Sequence, residues 1–150
     1  MVKKKETFLP LLRELARCYQ AFERYSAGHV RSLGLTPAQF DLIVTLGNTE
    51  GMNFRELGEK TLITKGTLTG VVDRLVAKQL VRRLASPTDG RSQTVQLTEK
   101  GEALFVRIFP AQLDHLRVVF AEFCGDELQQ AQATLLRLRK AFEQAREQPQ

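Results

Sequence analysis

Residues 81–97 read Val81-Arg82-Arg83-Leu84-Ala85-Ser86-Pro87-Thr88-Asp89-Gly90-Arg91-Ser92-Gln93-Thr94-Val95-Gln96-Leu97, and here the period of the chain changes. On either side apolar residues return every three or four positions. Over Val81–Ala85 and Gln93–Leu97 the period is two, the spacing of a half-buried strand. Between the two runs lies a loop of Ser, Pro, Asp and Gly, residues that supply turn geometry. The stretch predicts a β-hairpin in an otherwise helical chain.

Working upstream, Lys65 to about Gln79 carries Leu68, Val71, Val72, Leu75 and Val76 on one side of a helix, with Thr64 as its predicted cap. Lys65, Gly66, Thr69, Gly70, Asp73, Arg74 and Lys78 fall on the other side. Asn53 with Glu56 forms a capping box for a short helix through Thr61 that buries Leu57. Thr36-Pro37-Ala38-Gln39 opens another in the same way, with Pro37 where its missing N–H costs nothing. That helix turns Phe40, Ile43, Val44 and Leu46 inward and stops near Glu50-Gly51. A long first helix over Phe8–Val30 has a stripe of Phe8, Leu12, Leu15, Tyr19 and Phe22, and Gly34 ends it. Downstream, Thr98 opens a helix predicted to run through Phe123 with a kink at Pro110. Gly125-Asp126 should break it, and Asp126 with Gln129 should cap a last helix striped by Leu128, Ala131, Leu135, Leu138 and Phe142.

Three short-linked helices followed by a two-stranded ribbon are the parts of a winged helix-turn-helix. The fold class read from the sequence is mainly α with a small β-hairpin, one winged-helix domain over 1–150. Its divisions are an N-terminal helix over 1–34, the winged helix-turn-helix over 35–100 and C-terminal helices over 101–150. The outer helices carry more apolar stripe than one small domain needs. They are read as a dimerisation module, because a second copy can cover what one copy leaves open.

With 150 residues, 43% hydrophobic and 26% charged, the chain suits one globular domain and no fibrous or disordered class. No apolar run approaches a membrane span, and Val2-Lys3-Lys4-Lys5 leads into charged residues, so a cytoplasmic location without membrane attachment is expected. The two cysteines form no Cys-x-x-Cys pair, and His29 and His115 have no ligand spacing. No metal, cofactor or catalytic residue is therefore expected, and no phosphate loop or nucleophile elbow argues for an enzyme. Net charge is +5, and most of the excess lies between Ile63 and Gln93, where Lys65, Arg74, Lys78, Arg82, Arg83 and Arg91 face only Asp73 and Asp89.

These residues resemble the MarR family of bacterial transcriptional regulators over nearly the whole chain. Asp89-Gly90-Arg91, then Val95, Leu97, Thr98 and Gly101, are similar to that family's Asp-x-Arg wing and the Val-x-Leu-Thr-x-x-Gly run behind it. Leu33-Gly34-Leu35-Thr36 with Gln39-Phe40, and Leu75 with Leu80-Val81, fit the same pattern. Gln79 departs from it, standing where the family commonly has the glycine that suits a left-handed residue after a helix. The resemblance implies a sequence-specific, DNA-binding homodimer, commonly a repressor released by a small molecule. It implies that Arg91 enters the minor groove while Asp89 holds it.

The chemistry agrees. The helix of about 64–79 suits the major groove, and Thr64, Lys65, Gly66, Thr67, Thr69, Gly70 and Arg74 are its candidate DNA-facing residues, with a turn toward its own domain as the alternative for Thr67. Gly66 and Gly70 permit either close packing on a neighbouring helix or close approach to DNA. The wing of 86–92 offers Arg91 to a narrow minor groove, with the Asp89 carboxylate two residues away to orient the guanidinium. Arg82 and Arg83 are phosphate clamps or ordinary exposed strand residues. A two-fold dimer requires a pseudo-palindromic double-stranded site with half-sites about 10 bp apart.

The resemblance also implies a pocket for a small amphipathic aromatic effector, for which Arg17, Tyr19, Arg24, Tyr25 and His29 are candidates. Tyr19, on the apolar stripe, reads more readily as a core residue, and His29 as an ordinary helix residue. Cys18, beside Arg17, with Cys124 as a resolving partner would make a redox-sensing regulator, although an inert half-buried thiol is the expectation. The other alternative is a winged-helix protein-interaction module without DNA, which has no need of Lys65, Arg82, Arg83 and Arg91 together.

Overall fold

The computed structural model describes residues 6–86 and 88–147. Pro87 of the predicted wing loop and the basic run Val2–Lys5 lie outside the described residues. Two compact units fall within residues 1–114 and 115–150. The first holds α1 (Leu9–Ser32), α2 (Pro37–Leu46), β1 (Met52–Asn53), α3 (Phe54–Lys60), α4 (Lys65–Ala77), β2 (Val81–Ala85), β3 (Gln93–Leu97) and most of α5 (Glu99–Phe120).

Local chemistry sets where these elements start. The Thr36 hydroxyl accepts from the Gln39 amide at 3.2 Å, and the Gln39 side chain accepts from the Thr36 amide at 3.1 Å. Asn53 and Glu56 repeat the exchange at 2.8 and 3.0 Å ahead of α3. Two orphan donors are satisfied at each start. α4 ends at Ala77, two residues earlier than predicted, in a left-handed turn. Gln79 takes φ +61, its amide bonds to the Val76 carbonyl at 2.9 Å, and the Leu80 amide bonds to the Leu75 carbonyl at 2.9 Å. The missing glycine has changed the strain and not the exit.

β2 and β3 pair antiparallel with Val81 opposite Leu97 and Ala85 opposite Gln93, as the sequence predicts. A third strand was not foreseen: Met52–Asn53 pairs with the other edge of β3, giving the order β1-β3-β2. Two residues are too few to show an alternating pattern. The core gathers Leu42, Ile43 and Leu46 of α2, Leu57 of α3, Val72 and Leu75 of α4, Val95 of β3 and Ile108 of α5, all fully buried. Leu42, absent from the predicted inward set, is buried, whereas Val44 is only half-buried.

The Thr98–Gly101 run joins the ribbon to α5. The Thr98 hydroxyl donates to the Gln79 carbonyl at 2.6 Å and accepts from the Gly101 amide at 3.1 Å. Gly101 lies so close to the Leu80 carbonyl that a β-carbon would overlap its oxygen. α5 continues as one helix through Pro110 and ends at Phe120, short of the predicted Phe123.

The second unit holds the end of α5 and α6 (Gly125–Glu147). The break lies over 121–124, and α6 starts earlier than predicted because the Cys124 amide donates to the Glu127 carboxylate at 2.8 Å in place of an Asp126–Gln129 box. An ionised carboxylate is the stronger acceptor for an orphan amide. No described residue of α6 is buried, and Phe120, Phe123, Leu135 and Phe142 are exposed. In the first unit Phe8, just ahead of α1, and Leu12, Tyr19 and Phe22 on it are likewise exposed, so these residues are not core within the chain. Among the described residues no helix is long and apolar enough to cross a membrane.

Candidate nucleic-acid interface

The outer face of α4 is composed of small and cationic residues. Thr64, Lys65, Gly66, Thr67, Thr69, Gly70 and Arg74 are all exposed. Thr67, which the sequence left free to face its own domain, points to solvent. Its hydroxyl donates to the Thr64 carbonyl at 3.1 Å and lies 3.0 Å from the Thr64 hydroxyl. Thr64 occupies the cap position without capping the helix through its side chain, contrary to expectation; its hydroxyl lies against that of Thr67 instead. β-Carbons at Gly66 and Gly70 would meet nothing within 4 Å. Helix packing therefore does not account for them, although each costs roughly 1 kcal/mol of helix stability against alanine. What they provide is a low surface beside Lys65, Thr69 and Arg74.

The basic residues divide by their partners. Lys65, Arg74 and Arg91 are exposed, and none enters an ion pair among the described residues. Arg82 donates from Nε across the ribbon to the Gln96 side chain at 2.9 Å. Arg83 turns inward to pair with Asp73 of α4, its guanidinium carbon 5.7 Å from the Phe54 ring centroid. The two neighbours that the sequence left equivalent differ because alternate strand residues face opposite sides.

At the tip of the wing, Asp89 accepts from the backbone amide of Arg91 at 3.0 Å, and the Ser92 amide bonds to the Asp89 carbonyl at 3.0 Å. The carboxylate shapes the main chain of the turn and does not grip the guanidinium, as the sequence reading had it. Two residues on, a main-chain amide is nearer to an aspartate than the end of a long side chain. The tip is closed at its base by Ser86, whose amide bonds to the Ser92 carbonyl at 3.0 Å.

One residue that the sequence reading passed over sets the entry to α4. Asp41, on α2, accepts from the Leu62 amide at 2.7 Å and so holds the turn between α3 and α4. Its half-burial raises its pKa from the usual carboxylate value, although the Leu62 hydrogen bond pulls the other way. No local pattern could have found it, because its partner is 21 residues away.

On α1 two of the five effector candidates make hydrogen bonds to different elements of the chain. The Tyr19 hydroxyl donates to Glu23 at 3.0 Å, and this hydrogen bond to a carboxylate raises the phenol pKa. His29 Nδ1 lies 2.6 Å from the Gln112 side-chain oxygen, and the buried Gln112 donates onward to Ser26 at 3.0 Å. His29 thus joins α1 to α5. Arg17, Arg24 and Tyr25 are exposed. Cys18 and Cys124 are exposed free thiols; a half-buried one was expected at Cys18, but α1 buries almost no side chain around it, and Cys124 lies in the break between α5 and α6. Among the described residues no cluster of His, Cys, Asp and Glu could hold a metal ion.

Comparison with known proteins places this arrangement. Residues 33–92 match the MarR family. The HTH-type transcriptional regulator MhqR of Bacillus subtilis is 36% identical over 120 residues, covering 78% of this chain and 83% of the relative. The homoprotocatechuate degradative operon repressor of Escherichia coli is 28% identical over 116 residues, 77% of this chain and 78% of the relative. Among solved structures, AbsC, a MarR family transcriptional regulator from Streptomyces coelicolor, has a TM-score of 0.83 at 20% identity, covering 95% of this chain and 99% of that one. A mutant E. coli MarR complexed with operator DNA has a TM-score of 0.76 at 26% identity, covering 89% and 99%.

Proposed function

Since the chain belongs to the MarR family of transcriptional regulators, which are not enzymes, we propose that it is a cytoplasmic homodimer that binds a pseudo-palindromic double-stranded DNA site. α4 lies in the major groove and the wing loop over 86–92 reaches the minor groove. The helices of 1–34 and 101–150 form the dimerisation module, and the winged helix-turn-helix of 35–100 carries the contacts. The observation that carries this reading is the trio Lys65, Arg74 and Arg91, exposed and without carboxylate partners among the described residues, around the low surface of Gly66 and Gly70. Free cations beside a smooth helix face suit a phosphate-lined groove. The exposed apolar residues of α1 and α6 support a second copy as their cover. Repression, with release by a small amphipathic aromatic compound, is supported by the relative named as repressor of a homoprotocatechuate degradative operon.

The test is selection of DNA from a random pool by the wild-type protein, with the mass of the complex measured alongside. The expected result is an inverted repeat with half-site centres about 10 bp apart, occupied by two protomers. A pool that yields no shared motif, or a single protomer per site, would refute it.

A further inference from the structure

Arg83 sits where three elements meet. On β2 it lies opposite Val95 of β3. Its guanidinium pairs with Asp73 of α4 and lies over the ring of Phe54, the first residue of α3. Its side chain is 29% exposed against 56% for Asp73, and its Nε is buried with no acceptor among the described residues. An orphaned donor is a cost that a pair placed for stability alone would not keep. Arginine suits the position because a flat fork can bond a carboxylate at its end while its face rests on a ring, which an ammonium cannot do.

We propose that Arg83 is a positioning residue for DNA binding, fixing the wing to the recognition helix without touching a phosphate. The inference rests on the DNA-binding reading above. α4 and β2 are joined in sequence by the short turn Lys78–Leu80, with Gln79 left-handed at its centre. The base of the ribbon is held to β1 through β3, whereas the Asp73–Arg83 pair ties β2 to the recognition helix itself beside the turn. Loss of that tie lets α4 and the wing shift against each other, and a small shift at the base is carried to Arg91 at the tip. Lys65 and Arg74 on the helix and Arg91 on the wing then meet the duplex in one register.

Asp73→Asn separates this role from a direct contact. It removes a negative charge from a face that meets phosphates and frees Arg83, so if Arg83 were a phosphate contact the variant would bind more tightly. If Arg83 acts through the pair, binding weakens. The probe is a fluorescein-labelled duplex selected by the wild type from a random pool, read by anisotropy at fixed salt, with circular dichroism confirming the fold. Asp73→Asn and Arg83→Ala should each weaken binding about fivefold, and the double variant by no more than either alone. Arg91→Ala should cost less in the Asp73→Asn background than in the wild type. An Asp73→Asn protein that binds as well as or better than wild type, or an undiminished Arg91→Ala cost, would overturn the inference while leaving the DNA reading intact. A wild type with only non-specific affinity would overturn both. Should a single variant not fold, the exchanged pair Asp73→Arg with Arg83→Asp carries the test. Once folded it should bind within about threefold of wild type, and lost affinity in it would mark Arg83 as a direct contact.

Discussion

The salt dependence of DNA binding can be worked out from which cations are left open. In each protomer Lys65, Arg74 and Arg91 stand exposed on the proposed interface without a carboxylate partner among the described residues, while Arg83 is neutralised by Asp73 and Arg82 is held to Gln96. A dimer therefore presents six open cations, and at about 0.9 released counterions per neutralised phosphate the slope of log K against log salt should be about −5. Between 50 and 200 mM salt the affinity should fall about a thousandfold. Arg91→Ala removes one contact per protomer and should flatten the slope by about 2. The assay is anisotropy of a labelled, selected duplex titrated at five salt concentrations for both proteins. A wild-type slope of about −2 or shallower would refute the dimeric basic face. A slope near −9 would mean that Arg82 and Arg83 also meet phosphates, and the partition of charges argued here would be wrong.

Two further outcomes follow from the scaffold. Gln79→Gly relieves a left-handed side chain at φ +61 and should stabilise the protein by about 1 kcal/mol, because a β-carbon there crowds its own carbonyl and glycine has none. The melting temperature should rise by about 2–4 °C, and an unchanged or lower value would remove the strain argument. Asp41 has a folded pKa raised above its ordinary 3.8, so the folded state binds the extra proton. Its contribution is then greatest at low pH and is lost as pH rises from 3.8 through the folded value. Asp41→Asn keeps an acceptor for the Leu62 amide and cannot ionise. In urea melts across pH 3.5–7 the variant should gain on the wild type as pH rises, and the opposite trend would show the carboxylate to be stabilising.

Where the sequence was legible, a short-range rule was at work. The two capping boxes need only a hydroxyl or amide and a partner three residues on, and both formed at Thr36–Gln39 and Asn53–Glu56. β2 and β3 pair over their whole predicted length, and β3 alternates in burial along it, whereas Leu84 and Ala85 of β2 are both exposed. β1 escaped because it has two residues, and its existence depends on β3 offering a free edge far along the chain, with Met52 opposite Val95 and Asn53 opposite Thr94. The start of α6 was misplaced because the amide that Glu127 accepts from belongs to Cys124, a residue type that carries no capping signal. Asp41, Phe54 and Asp73 were invisible as parts of the site for one reason: each acts through a residue of another element.

The same limit governs the basic cluster from which nucleic-acid binding was first inferred. A count of charge treats Arg82, Arg83 and Arg91 alike, yet the fold gives them three situations: bonded across a ribbon, half-buried against a carboxylate and a ring, and open at a tip. Only an open cation gains by releasing counterions from DNA. A paired one would first have to leave its carboxylate, and that loss offsets part of what a phosphate could return. The net +4 of the segment therefore overstates the number of arginines that contact DNA and understates how well the open ones are held. Asp73 subtracts a charge from the interface, yet by tying α4 to the wing it reduces the freedom that the remaining contacts must otherwise restrict on binding.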